Sequence, residues 1–334
     1  MNNRVKATLF AIAAIIAATS CRTSASGDHS GKGTDTSSIE TDIIFDSDSA
    51  YAYVERQVAM GPRVSGTKAN EQCARYILSE LRRHGADSVR EQKGRMTAYT
   101  GDVLPVNNIM GSYNPGAKKR ILLLAHYDTR PWADQDENRD NHSIPIPGAN
   151  DGGSGVGVLL EIARQLSTNM PPVGVDLLFV DAEDYGQASG FSNHDESWCL
   201  GTQYWADHLP YAQDSLPSYA ILLDMVGGID AKFHREYISV QEAPHIVDKV
   251  WGIAAGSGYG HRFPNIDGGA VVDDHLFVNK AGIPAINIIE SKNDVTKSFA
   301  PTWHTVNDDM SNIDRGSLKA AGQTVINVIF NEKP

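Results

Sequence analysis

Short apolar runs alternate along most of this chain with longer segments in which apolar residues recur every three or four positions. The short runs predict buried strands at residues 106–113, 120–128, 175–184, 219–227 and 284–290. The longer segments predict helices at residues 46–63, 67–85, 154–167, 244–256 and 315–330. Because apolar strands alternate with helices, the pattern predicts an α/β domain whose largely parallel sheet is covered on both faces.

The first residues have the pattern of an export signal. Arg4 and Lys6 precede an apolar run at residues 7–18, which has the length of a signal peptide and is too short to span a bilayer. The run ends in the letters AATSC, which resemble a bacterial lipoprotein signal, so residues 1–20 would be removed and Cys21 would carry a lipid. Plain cleavage near the same point is the alternative. We therefore expect an exported protein in the cell envelope of a Gram-negative bacterium, facing the periplasm.

The pattern after the signal divides the mature chain in two. Residues 21–38 are rich in Ser, Thr, Gly and Asp, which predicts a flexible tether. Residues 39–334 contain all the predicted strands and helices without a second linker, which predicts one folded domain. With Cys21 assigned to the anchor, Cys73 and Cys199 are expected either to form a disulfide or to be two separate buried thiols.

Composition narrows the range of partners. Of the 334 residues, 41% are hydrophobic and 21% are charged, as in a globular protein, and the formal net charge is −12. A surface this acidic argues against nucleic acid as a partner. Contact with a membrane is expected only through the lipid at Cys21.

Side chains that can bind metal stand where several of the predicted strands end. They are His126 and Asp128, Asp151 in the stretch GANDGGSG, the neighbours Glu183 and Asp184, Asp224, and His304 before the last helix. In parallel α/β sheets, ligands bind beyond the carboxyl ends of the strands, so these side chains are expected to converge. Imidazole and carboxylate groups without thiolate are the donors of catalytic zinc sites. The sequence therefore predicts a zinc centre at this edge of the sheet.

Five stretches in this order, AHYDTR, GANDGGSG, VDAED, LLDMVG and WHTVND, resemble the zinc-peptidase superfamily that contains the M28-type aminopeptidases and the type II glutaminyl cyclases. The resemblance extends from Gly61 to the final helix. It implies a single-domain α/β/α sandwich around a mixed, mostly parallel, twisted sheet.

The two branches of this superfamily imply different metal sites. In the aminopeptidases, His126 and Asp224 would bind one zinc, Asp184 and His304 a second, and Asp151 both. In the cyclases, Asp151, Asp184 and His304 would bind one zinc per chain, and the second-metal residue His126 would support the site together with Asp128. The stretches LLDMVGG, VVDDHLFVNKAGIPAINII and PTWHT resemble the cyclases more closely. We therefore expect a glutaminyl cyclase, with a di-zinc aminopeptidase and a non-catalytic binding domain of the same fold as alternatives.

The cyclase resemblance also implies a substrate and roles. The substrate would be the N-terminal Gln of a peptide or protein, whose α-amine attacks its own side-chain amide and releases ammonia. Glu183 would transfer the proton and Asp224 would hold the amine. The adjacent acids Asp273 and Asp274 would share a proton and steady the intermediate. The walls of the substrate pocket would include Trp303 and Trp198.

The sequence departs from the animal cyclases at three positions. Ala125 replaces a cysteine of their local disulfide, Asp184 is one methylene shorter than their second Glu, and Asn287 replaces a His. The stretch DQDENRDNHS, residues 134–143, superficially resembles a calcium loop but lacks the glycine and terminal Glu of an EF-hand. We expect a solvated rim loop, with Arg130 and Trp132 near the site.

Overall fold

The computed structural model describes residues 41–188 and 195–334. The expected signal peptide at residues 1–20, the lipid anchor at Cys21 and the tether at residues 21–38 lie outside the described residues. The described residues belong to one compact unit. Within the described part of the chain, no helix has the length and apolar character needed to cross a membrane.

The centre of the fold is a six-stranded mixed sheet. Its strands are β1 (Ser88–Thr97), β2 (Val103–Tyr113), β3 (Arg120–His126), β4 (Gly174–Val180), β5 (Ala220–Asp224) and β6 (Ala285–Ile289). They lie in the order β1-β2-β4-β3-β5-β6. The neighbouring strands β4, β3, β5 and β6 pair in parallel, whereas β2 pairs antiparallel with both β1 and β4. The mixed, mostly parallel sheet expected from the sequence is thus confirmed.

Helices cover both faces of this sheet. They are α1 (Ser47–Val58), α2 (Lys68–Arg83), α3 (Gly153–Leu166), α4 (Leu200–Asp207), α5 (Tyr237–Glu242), α6 (Pro244–Gly256), α7 (Asp274–Lys280) and α8 (Arg315–Asn331). Successive side chains of a strand point to opposite faces of the sheet. Ile121 and Leu123 belong to a large core with α1, α2, α3, α6 and α8. Leu122 and Leu124 belong to a smaller core that includes residues of α4 and α7. The result is the expected α/β/α sandwich.

The sequence pattern did not predict β1, α4, α5 or α7. Strand β1 lies at the sheet edge and reads SVREQKGRMT, so it has almost no apolar alternation from which to predict a strand. Helices α4, α5 and α7 have eight, six and seven residues, which is too short for a helical period to be clear. Helix α7 is instead defined by its N-cap, where Asp273 accepts a hydrogen bond from the amide of Asp274.

Glycines of helix α3 allow it to pack close to the sheet. A Cβ atom at Gly155 would lie 2.0 Å from the carbonyl oxygen of Leu223 in β5. A backbone atom of a central strand cannot move away as a flexible side chain would. Gly155 therefore sets the distance between α3 and the strand that ends in Asp224.

We predict that Gly155→Ala destabilises the protein by roughly 1–3 kcal/mol, because the helix must move away from β5. The measurement is urea unfolding followed by circular dichroism. Gly252→Ala is the matched control, since Gly252 is an exposed helical glycine with no atom within 4 Å of its added Cβ. It should be neutral or stabilising by up to about 1 kcal/mol. Equal stability of the two variants would contradict this account of α3 packing.

Candidate metal centre and active site

The polar residues predicted at the strand ends meet at one edge of the sheet. His126 ends β3 and Asp224 ends β5, while Glu183 and Asp184 follow β4 by a few residues. Asp151 directly precedes the glycine pair that opens α3, and His304 comes from the loop between β6 and α8. All six side chains are buried. The convergence expected from the sequence is therefore observed.

Asp151, Asp184 and His304 form a group whose donor atoms all lie within 4.8 Å of one another. Nε2 of His304 lies 3.3 Å from Oδ1 of Asp184 and 3.5 Å from Oδ2 of Asp151. The shorter side chain of Asp184 thus still reaches the group. These are two carboxylates and one imidazole, the donor set expected for a catalytic zinc ion.

A second group shares Asp151 with the first. Nε2 of His126 lies 3.1 Å from Oδ1 of Asp224 and 3.2 Å from Oδ1 of Asp151. Asp151 therefore directs one carboxylate oxygen to each group, which is the arrangement of a bridging ligand. His126 is closer to these acids than to Asp128, whose Oδ1 lies 3.5 Å from the other ring nitrogen.

Two further features of the group formed by Asp151, Asp184 and His304 favour a bound cation. Oδ2 of Asp184 is buried and has no hydrogen-bond partner among residues 41–188 and 195–334. A buried carboxylate oxygen without a partner is costly unless a cation or a donor satisfies it. The amino terminus of α3, which begins two residues after Asp151, adds a partial positive charge at the same place.

Two further acids hold the ligand-bearing backbone in place. Asp128 accepts hydrogen bonds from the amides of Glu183 and Asp184, both at 3.1 Å. Asp308 accepts hydrogen bonds from the amides of Asn150 and Asp151, at 2.8 and 3.0 Å. Asp128 was expected as a supporting residue, and the structure shows which atoms it supports. Asp308 was not predicted, although it ends the quoted motif WHTVND.

Four residues at the site have left-handed backbone conformations that side chains other than glycine rarely adopt. They are Ala182, Cys199, Met225 and His304, with φ between 47° and 57°. Each is a ligand or lies beside a residue of the site. Such strain persists only where the surrounding packing enforces it, and it is concentrated at functional sites.

Glu183 neighbours a candidate ligand but belongs to a different cluster. Oε1 of Glu183 accepts a hydrogen bond from the thiol of Cys199 at 3.3 Å. Burial, together with the negative charges of Asp273 and Asp184, raises the pKa of Glu183 well above its ordinary value. A buried carboxyl group with a raised pKa beside a metal group is a candidate proton carrier. Cys199 and Cys73 are separate buried thiols, so of the two arrangements expected for these cysteines the structure shows the unpaired one.

Asp273 and Asp274 are both buried, but only Asp273 lines the pocket at the site. Burial and the charge of Asp224 raise the pKa of Asp273 to about 7. Burial and the charge of Asp273 raise the pKa of Asp274 to about 8. Oδ2 of Asp273 also accepts a 2.6 Å hydrogen bond from Nδ2 of Asn287. The asparagine that replaces a histidine of the animal cyclases thus still contacts this acid.

A pocket of about 280 Å³ opens onto these acids. Its polar lining includes Asp151, Glu183, Asp184, Asp224, Asp273 and His304, and its aromatic lining is Trp198, Phe299 and Trp303. Trp303 stacks on the ring of His304 with centroids 3.8 Å apart, and Trp198 lies nearly parallel to the same ring at 6.1 Å. Both tryptophans proposed from the sequence therefore line the pocket.

The rim loop differs from expectation. Residues 137–140 are exposed, as a solvated loop requires, but Asp136 is buried. Arg130 lies near the site, as expected, with Nη1 3.3 Å from Oδ1 of Asp184. The carboxylate of Asp136 accepts hydrogen bonds from the amides of Asn138 and Val306. The solvated-loop interpretation is thus wrong for the part of this segment that packs beside His304.

Comparison with protein-family models agrees with this geometry. The model of peptidase family M28 matches residues 108–329, which contain every candidate ligand described above. This chain belongs to peptidase family M28.

Solved structures similar to this chain are described as enzymes of different activities. A glutaminyl cyclase of Bacteroides thetaiotaomicron, bound to N-acetylhistamine, is 49% identical to this M28 chain with a TM-score of 0.83, covering 87% of this chain and 99% of the other. A Zn-dependent exopeptidase of Parabacteroides distasonis has the same identity, TM-score and coverage.

More distant relatives show the same division. Aminopeptidase YwaD of Bacillus subtilis is 25% identical over 84% of this chain, and the match spans only 55% of the aminopeptidase. The glutaminyl-peptide cyclotransferase of Bos taurus is 24% identical over 77% of this chain and 74% of the bovine protein. Family membership therefore supports a zinc-dependent enzyme, and the choice of reaction depends on the site.

We predict that His304→Ala loses most of its zinc on dialysis, because the metal group keeps only two carboxylates. The measurement is elemental analysis of the dialysed protein. His245→Ala is the control, since His245 is an exposed histidine of α6. Full zinc content in the His304 variant would contradict the assignment of this group.

Proposed function

We propose that this M28 protein is a zinc-dependent glutaminyl cyclase, which converts an N-terminal glutamine of a peptide or protein into pyroglutamate and releases ammonia. One zinc ion per chain would be held by Asp151, Asp184 and His304. The 49% identity with the Bacteroides thetaiotaomicron cyclase over 87% of the chain supports this proposal.

The single observation that carries the proposal is the small aromatic pocket in which Glu183 stands beside the metal group. Trp198, Phe299 and Trp303 wall a cavity of about 280 Å³, while Glu183, Asp224 and Asp273 line it with carboxyl groups. A pocket of this size suits one side chain folded back on its own amine. Holding the amine against the amide carbon supplies much of the rate, because the reaction becomes an oriented intramolecular step.

The metal, when bound, polarises the γ-carbonyl and stabilises the negative charge that develops on its oxygen. In the ring-closing step, the α-nitrogen forms a bond to the side-chain amide carbon, and the bond from that carbon to the amide nitrogen breaks. Glu183 takes a proton from the attacking nitrogen and delivers it to the leaving nitrogen, which departs as ammonia. No water is consumed.

The other carboxyl groups of the pocket orient the substrate. Asp224 lines the pocket and can accept a hydrogen bond from the α-amine. Asp273, with a raised pKa, can donate its proton to an oxygen of the substrate. Asp274 is not part of the pocket lining, so in this proposal it acts on the substrate through the neighbouring Asp273.

One observation favours a second candidate function. His126, Asp151 and Asp224 form a complete second donor group, as a di-zinc aminopeptidase requires. In that enzyme Asp224 would bind metal and could not receive the substrate amine. Zinc content near one per chain in the active protein supports the cyclase, and two per chain supports the aminopeptidase.

We predict that the purified chain converts a Gln-initiated peptide into a product lighter by one ammonia, measured by mass spectrometry. The same peptide beginning with Leu is the matched substrate control, and it should remain unchanged. Release of the whole first residue from either peptide would instead identify an aminopeptidase. Preincubation with a zinc chelator should abolish the conversion.

The variant Glu183→Gln tests in the same assay whether Glu183 carries the proton. It should lower kcat by roughly 100- to 10,000-fold, because the proton carrier is lost while the neighbouring ligand remains. Its zinc content should equal that of the unmodified protein. Near-normal turnover of this variant would show that Glu183 is not the proton carrier.

We also propose that the protein is exported and anchored in the bacterial cell envelope through a lipid on Cys21. The support is the sequence alone: two basic residues, an apolar run of signal-peptide length, and a Cys followed by a polar segment. We predict that Cys21→Ser moves the protein from the membrane fraction to the soluble fraction, as measured by immunoblot. An unchanged membrane fraction would contradict lipidation.

A further inference from the structure

The segment that follows β3 contains an arginine buried against the metal group. The side chain of Arg130 has no solvent exposure. Its Nε and Nη2 atoms donate to the two carboxylate oxygens of Asp134, at 2.8 and 2.6 Å. Its Nη1 atom donates to the main-chain oxygen of Asp184 at 3.2 Å and to Oδ1 of the same residue at 3.3 Å. One guanidinium therefore joins Asp134 to a candidate metal ligand.

Packing fixes the orientation of this guanidinium. Its central carbon lies 5.2 Å from the ring centre of Trp132 and 4.8 Å from that of Trp198. A third acceptor, the carbonyl oxygen of Gly186, lies 3.2 Å from Nη1. A planar cation that contacts two indole rings and donates to five acceptor atoms of three residues has little freedom to rotate.

Asp134 connects the arginine to the imidazole of the metal group. Its Oδ1 atom lies 3.3 Å from Nδ1 of His304, while Nε2 of the same ring faces Asp184 and Asp151. Nδ1 is buried and has no hydrogen bond among the described residues. The main chains are joined as well, because the amide of Gln135 donates to the carbonyl oxygen of His304 at 3.1 Å.

We propose that Arg130 and Asp134 are positioning residues of the metal centre, with Asp134 orienting His304 and Arg130 fixing Asp134 and Asp184 to each other. When Nε2 of His304 binds metal, the ring proton is on Nδ1, and this N–H donates a hydrogen bond to the carboxylate of Asp134. A carboxylate in this position fixes the tautomer and ring orientation and makes the imidazole a stronger ligand.

The role of Arg130 follows from charge and shape. Asp134 and Asp184 would repel each other across a buried space without a cation between them. Arginine presents its donors in a rigid planar fork that binds both oxygens of Asp134 and still reaches Asp184. Lysine would keep the charge but could not make these contacts together, so Arg130→Lys separates shape from charge.

The test measures zinc binding and not turnover. Zinc is removed from the purified chain, and the dissociation constant is measured by competition with a chromophoric chelator. We expect Asp134→Ala, Asp134→Asn and Arg130→Lys each to weaken zinc binding by roughly 10- to 100-fold. Asp140→Ala and Arg139→Lys are matched controls, since both residues are exposed on the same segment, and both should bind zinc normally.

A second measurement separates positioning from general destabilisation. Co²⁺ replaces zinc, and its visible spectrum reports the geometry of the ligands. We expect the bands of the Asp134→Asn and Arg130→Lys proteins to shift, while far-UV circular dichroism stays unchanged. If Asp134→Ala does not fold, these two conservative variants decide the result.

Normal zinc affinity and an unchanged cobalt spectrum in both conservative variants would overturn the proposal. The inference rests on the metal centre of the proposed cyclase, but its test is independent of the reaction. If the chain does not cyclise glutamine, the zinc measurements still decide the roles of Arg130 and Asp134. If it does, weakened zinc binding should be offset by saturating zinc in the Arg130→Lys variant, with activity returning towards normal.

Discussion

The accumulation of buried negative charge at one edge of the sheet is the constraint that the rest of the site satisfies. Carboxyl groups with less than a tenth of their surface exposed accumulate there, among them Asp151, Glu183, Asp184, Asp224, Asp273 and Asp274. An ionised carboxylate without a partner in such a place costs several kcal/mol or more. Cations or protons must therefore be part of the folded site.

The structure meets this requirement differently on its two sides. At Asp184 a permanently charged arginine and a metal position both face the carboxylate. At Asp273 and Asp274 no arginine contact is present among the described residues, and burial raises the pKa of these groups to about 7 and about 8. One side of this edge thus offers carboxylates that face cations, and the other offers acids whose raised pKa values suit proton exchange with a substrate. Glu183 lies between the two sides.

Most of the sheet and the outline of the site could be predicted from the sequence. Apolar runs identify strands because a parallel sheet is buried on both faces, and the ends of such strands must meet at one edge. This reasoning is sufficient to place His126, Asp151, Asp184 and Asp224 together. It requires only the direction of the strands and no knowledge of individual contacts.

The residues that support the site were harder to predict, for a physical reason. Asp308 supports Asp151 from 157 positions away in the sequence. Asp134 likewise contacts His304, which lies far from it in the sequence. Neither lies at a strand end, and an acidic loop such as residues 134–140 usually indicates a solvated surface. Only the folded chain shows that Asp134 faces inward while Glu137 and Asp140 face solvent.

The choice between cyclase and peptidase depends on what neutralises Asp224. Burial would lower the pKa of His126, but the carboxylates of Asp128, Asp151 and Asp224 raise it well above its ordinary value. With a proton on Nε2, 3.1 Å from Oδ1 of Asp224, His126 can satisfy Asp224 as a hydrogen-bond donor without a second metal ion and leave the pocket-facing side of Asp224 to a substrate amine. The same two residues can instead bind a metal if His126 loses its proton. The ligand motifs are therefore shared by both reactions, and the small aromatic pocket provides the structural argument for cyclisation.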